Sequence, residues 1–186
     1  LALKIRHCEG VYADAGLPAI WRITPFDQPP QLDAALAQRG YAQYEQTQVM
    51  LAPLAVPPDV VHRDDVEISA PPAADYCAAV AAIRGSTDEQ RAAHEARLAQ
   101  SATGRYCVVA RCDGRYVASA QLAFEGDVAG LFDIVTAADA RGRGHATALC
   151  AHMLNWGWSH GMRAAYLQVT ADNAAALAVY RKFGFE

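Results

Sequence analysis

Apolar positions along the chain recur with two different periods, and the change from one to the other marks its elements. Alternating or short continuous apolar runs predict strands at residues 66–69, 105–111, 116–124, 129–135 and around Leu167. Spacings of three and four predict helices over 73–84 and 88–100, from Ala146 to about His160, and over 173–183. Thr87-Asp88-Glu89-Gln90 supplies cap-like residues for the second of these helices. Asp113-Gly114 suits a tight turn and makes the second and third strands a hairpin. The predicted order is β-α-α-β-β-β-α-β-α.

Ahead of this series the pattern is broken by Leu51-Ala-Pro-Leu-Ala-Val-Pro-Pro-Asp59, read as a linker, because proline removes a donor and fixes φ. Two domains are therefore expected, 1–58 and 59–186. In the first, 1–15 reads as the end of a helix, 19–24 as a strand, 32–39 as a helix closed by Gly40, and 46–51 as a second strand, which makes a small β-α-β extension. Tyr12-Ala-Asp-Ala-Gly16-Leu17 repeats the Tyr-x-x-x-Gly-apolar ending of Tyr180-Arg-Lys-Phe-Gly184-Phe185. Tandem duplication and a plain extension are both consistent with that repeat.

Composition narrows the function classes. A net charge of -4 with no basic stripe argues against nucleic acid and is compatible with a cationic amine as substrate. Although 53% of the residues are hydrophobic, no apolar run approaches the ~20 residues that span a bilayer, and no signal peptide is visible, so a cytoplasmic protein without membrane attachment is expected. The five cysteines form no C-x-x-C pair and are expected to be free thiols in apolar surroundings. His145, His152 and His160 share roughly one helical face, but their spacing is too long for the one-turn ligand pair of a helical zinc motif, and no metal is expected. Of Trp156 and Trp158, at least one is expected to pack in the core.

The most informative segment is Arg141-Gly142-Arg143-Gly144-His145-Ala146, between the run Leu131-Phe132-Asp133-Ile134-Val135 and a helix. Glycines at a strand-to-helix turn let a ligand approach the backbone, and the unpaired N–H groups of the first helical turn carry the positive end of the helix dipole. A diphosphate suits such a site. The spacing fits neither G-x-G-x-x-G nor a Walker loop, whose lysine is missing.

With Arg141, Gly144 and Ala146 at fixed positions, the hexapeptide resembles the [QR]-x-x-G-x-[GA] acyl-CoA signature of the GNAT family of N-acetyltransferases. Downstream, L-x-V-x-x-x-N-x-x-A-x-x-x-Y-x-x-x-G-F, from Leu167 through Asn173 and Tyr180 to Phe185, resembles the second conserved segment of that family at the expected distance. The resemblance covers about 66–186, and 142–186 is its specific part. Trp21-Arg-Ile-Thr-Pro, Leu32-Asp-x-x-Leu and Arg39-Gly40-Tyr41 also resemble the N-terminal half of bacterial tandem-type members. The resemblance implies a mixed, strongly twisted α/β sheet with helices on both faces. It also implies that the chain should run on past Glu186 into a final strand pair, so a fragment of a longer protein is expected.

The implied reaction is attack of an amine on the thioester carbon of acetyl-CoA, the cosubstrate. The amine must lose a proton first, since free alkylamines have a pKa of roughly 10. The resemblance implies that main-chain atoms of Ile134, Val135 and Thr136 pair with the pantetheine arm. It also implies that Arg141, Gly142, Arg143, Gly144, His145 and Ala146 cradle the diphosphate and that Tyr180 protonates the departing thiolate. Asn173 would contact the pantetheine or fix the loop, with helix capping as its other reading. Glu125 and Asp133 are candidate bases, surface charges or ammonium anchors, and a water chain is an alternative to either. The acceptor is a small-molecule or peptide amine, and a homodimer is compatible with the pattern. A non-catalytic domain that binds acyl-CoA and regulates or senses is the alternative reading.

Overall fold

In the computed structural model, which describes residues 1–59 and 63–186, the strand-forming segments pair into a six-stranded sheet. The strands are β1 (Thr47–Pro53), β2 (Glu67–Ser69), β3 (Gly104–Cys112), β4 (Arg115–Glu125), β5 (Val128–Thr136) and β6 (Ala164–Thr170). Their spatial order is β1-β6-β5-β4-β3-β2; β5 and β6 are parallel and all other neighbours antiparallel. The helices are α1 (Ala2–Asp14), α2 (Leu32–Ala37), α3 (Ala73–Arg84), α4 (Asp88–Gln100), α5 (His145–Ser159) and α6 (Ala174–Arg181).

Alternation along β3 shows why helices cover both faces. Val108 and Ala110 pack in one apolar cluster with Leu149 and Met153 of α5. Cys107 and Val109, pointing the other way, pack with Tyr76 and Val80 of α3 and Leu98 of α4. Local chemistry sets the boundaries. The Thr87 hydroxyl accepts from the Gln90 amide while the Gln90 side chain accepts from the Thr87 amide, a complete capping box. Asp113 and Gly114, with φ of 50° and 76°, supply the paired positive φ of the β3–β4 turn.

Two expectations for the N-terminal region are corrected. Residues 19–24 form no strand: Pro18 and Pro25 flank them, and the Thr24 amide and hydroxyl both donate to the Asp27 carboxylate instead. The strand expected at 46–51 does form, as β1, but it pairs with β6 along seven residue pairs. The chain consequently divides into compact units at Leu1–Glu45 and Gln46–Glu186, not at 58/59, and the first unit is helical, not β-α-β. Burial of Met50 and Ala52 fixes β1 against β6, and Pro53 falls at its end, where a missing donor is tolerated. Leu51 exchanges two backbone hydrogen bonds with Glu186.

Gly130 lies where β5 and β6 pair. A Cβ there would fall 2.5 Å from Cε2 of Phe132 and 2.7 Å from Cζ of Tyr166, two rings that meet edge to face with centroids 5.9 Å apart. Gly130→Ala is expected to destabilise the protein by about 1–3 kcal/mol through overpacking. An unchanged urea midpoint would contradict this packing.

Candidate active site

The site grows from an interruption in the sheet. β5 and β6 pair only from Val128–Ala164 to Leu131–Leu167, although β5 continues to Thr136 and β6 to Thr170. Past Leu131 the two strands form no ladder pairs, so main-chain donors and acceptors of residues 132–136 on that side are available to an extended ligand. Ile134, Val135 and Thr136 belong to this stretch.

On the other side, the β4–β5 register shifts between Ser119 and Gln121: Gln121 faces Phe132 and Ser119 faces Val135. Asp133 sits in this bulge with φ of 49°, a left-handed conformation that aspartate tolerates better than most residues. Simple strand alternation, used to place Asp133 from the sequence, therefore does not hold there. The Asp133 carboxylate accepts from Arg84 Nη2 of α3 at 2.9 Å, and its other oxygen lies 3.5 Å from His94 Nε2 of α4. Together they line a cleft of about 210 Å³ between α3, α4 and β5, which Cys77, Arg91 and Arg97 also border. Burial lowers the His94 pKa, outweighing the opposing pull of Asp133, so the imidazole is neutral at pH 7.

Beside this cleft lie buried polar atoms without partners. Tyr76 Oη, Ser119 Oγ and Gln121 Oε1 make no hydrogen bond among the described residues. Ser119 and Gln121 pair across β3–β4 with Val109 and Cys107, which places them on the α3/α4 face with Tyr76. Burial, with Asp133 nearby, pushes the Tyr76 phenol far above its ordinary range.

After β5, the one-turn helix Ala138–Ala140 leads into Arg141-Gly142-Arg143-Gly144 and directly into α5. Gly142 and Gly144 have φ of 73° and 81°, a region that side chains disfavour. Gly144 is the N-cap, with its carbonyl accepting from the Ala148 amide, and the next amides have no partner within the helix. His145, only 3% exposed, has an Nδ1 with no hydrogen-bond partner among the described residues. Arg141 and Arg143 are exposed. Two glycine turns, a row of free amides and an orphaned buried nitrogen fit a diphosphate.

Tyr180 is buried, its ring edge-on to Phe185, and burial pushes its phenol up to about 12. The hydroxyl is thus protonated at pH 7 and able to donate. Asn173 caps α6, its Oδ1 accepting from the Ala176 amide, which realises its capping role and leaves Nδ2 as a donor. Glu125 is not brought to this region. It is exposed where β4 turns into β5, opposite Val128, and Asp133 lies five strand residues further on, about 16 Å away along β5.

Several site residues escape the sequence reading. Arg63 donates through Nη1 to the Arg143 carbonyl and pairs with Asp65, so its guanidinium sits against the glycine loop. His94 was missed with Arg91 and Arg97, although the three-residue spacing of 91, 94 and 97 puts them on one side of α4. Of the helical histidines, His152 bonds Tyr106 Oη at 2.9 Å and His160 stacks on Trp156. Both Trp156 and Trp158 pack against the core. The five cysteines are free, with Cys77 and Cys150 buried and Cys8, Cys107 and Cys112 partly so.

Burial lowers the pKa of His94, His145 and His152 in the folded protein. The unfolded chain therefore takes up more protons below its own histidine pKa of roughly 6.5, and stability is full above that pH and falls as pH drops through the lower native values. A urea midpoint at pH 5.5 lower than at pH 7.5 is expected; equal midpoints would contradict the burial of neutral imidazoles.

A splayed sheet with a glycine loop at the mouth of the splay suits an extended ligand that carries a diphosphate. The model of the Acetyltransferase (GNAT) family matches residues 76–185, and the chain belongs to that family, whose acetyl donor is acetyl-CoA. No curated protein matches it in sequence. The fold is similar to that of a tandem GNAT protein from the clavulanic acid biosynthesis pathway, at 17% identity and a TM-score of 0.67 over 90% of this chain and 59% of that one. The Escherichia coli ribosomal-protein-S18-alanine N-acetyltransferase matches at 24% identity and a TM-score of 0.56, over 65% of this chain and 77% of its own. AAC(6')-Iy, solved in complex with the bisubstrate analogue CoA-S-monomethyl-acetylneamine, matches at 21% identity and a TM-score of 0.54, over 65% of this chain and 90% of its own. The chain spans about half to two thirds of the length of several other solved relatives. No helix among the described residues is long and apolar enough to cross a membrane.

Proposed function

We propose that the chain is an acetyl-CoA-dependent N-acetyltransferase that acts on a primary amine of a small molecule or peptide by direct attack. The observation that carries this reading is the conjunction of unpaired β5 backbone at 132–136 with the Arg141–Ala146 loop at the start of α5. Acetyl-CoA supplies an activated acyl carbon and a thiolate leaving group. Arg141, Arg143 and the amides from Gly142 to Ala146 hold its diphosphate, with Arg63 reinforcing the loop. Main-chain groups of Ile134, Val135 and Thr136 align the pantetheine, and Asn173 Nδ2 is free to bond it.

The remaining residues manage protons. Asp133, held by Arg84 and His94, anchors the incoming ammonium at the bulge. Neutral His94 is suited to take the proton that frees the amine lone pair, and Asp133 orients the imidazole, an arrangement that needs no contribution from Glu125. Tyr180 holds the proton that the departing thiolate receives. No metal is given a part, since His152 and His160 are engaged by Tyr106 and Trp156.

The reading extends to the whole chain. Residues 1–45 are a degenerate GNAT-like unit ahead of the catalytic one, a view supported by the likeness to a tandem GNAT protein over 90% of this chain. The reading includes a cytoplasmic location and is compatible with a homodimer. Thiol release from acetyl-CoA in the presence of a panel of primary amines tests the proposal. Amine-dependent release is expected; binding of acetyl-CoA without release on any amine would favour a non-catalytic sensor.

A further inference from the structure

Charges around the α3/α4 cleft are unbalanced. Arg84, Arg91 and Arg97 line it, and among the described residues Asp133 is the only carboxylate that does. Asp133 meets Arg84 and His94, and its two oxygens, with about four acceptor sites between them, can still take a further donor. Arg91 has only a 3.7 Å contact with Asp88, whose side chain is 100% exposed and therefore well solvated. Arg97 has no hydrogen bond or ion pair among the described residues. Two guanidinium groups thus face the cleft with little to neutralise them, one helical turn and a half apart on α4, while the carboxylate lies across from them on β5.

The polarity is directional. At the β5 end, Asp133 offers negative charge beside the unpaired backbone that begins the acyl-transfer channel, and the buried, unpartnered Tyr76 hydroxyl lies close to it. At the α4 end, the cleft offers planar five-donor forks. A single small molecule satisfies both ends when it carries an ammonium and an anionic group. The cleft has a volume of about 210 Å³. That accommodates an amino acid. Planar forks match a carboxylate bidentately.

We infer that the acceptor is an amino-acid-sized primary amine bearing a carboxylate, with its ammonium at Asp133 and its carboxylate held by Arg91 and Arg97. The inference rests on the acetyltransferase reading of the same site and adds the chemical class of acceptor. It also separates this chain from enzymes whose acceptors are purely cationic, since a polyamine would meet Arg91 and Arg97 with like charge.

The test compares matched pairs. The twenty α-amino acids and their α-carboxamides are assayed for thiol release from acetyl-CoA with the intact chain, with Arg91→Gln and with Arg97→Gln, and acetyl-CoA binding is titrated for all three proteins. For the best acid, a preference over its amide of about tenfold or more in kcat/KM is expected, as for loss of a charge-assisted bond. That preference should collapse in both variants while acetyl-CoA affinity stays unchanged, which also reports that the variants fold. Amides used as well as acids, or no acid turned over by a protein that binds acetyl-CoA, would overturn the carboxylate assignment and leave the acetyltransferase reading standing. Failure of the intact chain to bind acetyl-CoA would overturn both.

Discussion

Tyr180→Phe is expected to lower kcat by roughly a hundredfold or more while leaving the dissociation constant of acetyl-CoA nearly unchanged. The substitution removes one oxygen and keeps the ring, so the edge-to-face contact with Phe185 and the packing between α6 and the core survive. What disappears is a hydroxyl that burial keeps protonated, its pKa pushed up to about 12, and that bonds nothing among the described residues. If Tyr180 were only a packing residue, kcat would not move. Pre-steady-state measurement separates the chemical step from product release, and an unchanged chemical rate would remove Tyr180 from the mechanism.

Gly144→Val should act on binding instead. Gly144 has φ of 81°, and a Cβ there would come within 3.3 Å of Arg63 Nη1. A β-branched residue in left-handed backbone costs about 1–2 kcal/mol or more, so the loop is expected to rearrange and withdraw its amides from the diphosphate. Acetyl-CoA affinity should weaken about tenfold or more. Gly161→Ala is the matched control: Gly161 has φ of 91°, with open space around it, and lies past the other end of α5. It should lose similar stability without losing affinity. Normal binding by Gly144→Val would count against the loop as the diphosphate site.

Much of this fold could be read from local signals, because those signals are chemical. Thr87 and Gln90 write their own capping box, Asp113-Gly114 its own turn, and Gly142 and Gly144 mark backbone that other residues avoid. The same holds for the turn at 141–146, whose glycine spacing survives without tertiary context. What escaped depends on partners distant in sequence. The apolar pattern at 19–24 reads as a strand, yet a strand exists only where another offers a ladder, and none among the described residues does so there. β1 was read correctly as a strand and assigned to the wrong unit, since its partner, β6, follows it by more than a hundred residues. The bulge at Asp133 comes from a mismatch in register between β4 and β5, which neither strand shows alone. His94 joins the site only through the approach of its imidazole from α4 to Asp133, so a histidine on an alanine-rich helix gives little hint of its neighbour.

The central claim is that the splay between β5 and β6, together with the loop opening α5, forms a binding site for the acyl-CoA donor. Isothermal titration of the purified chain with acetyl-CoA, coenzyme A and ATP tests it most directly. Acetyl-CoA and coenzyme A are predicted to bind with a dissociation constant of about micromolar order, and ATP, which offers phosphates but no pantetheine for the open backbone of β5, at least about tenfold more weakly. Equal affinity for ATP, or no binding of either CoA compound, would contradict the account.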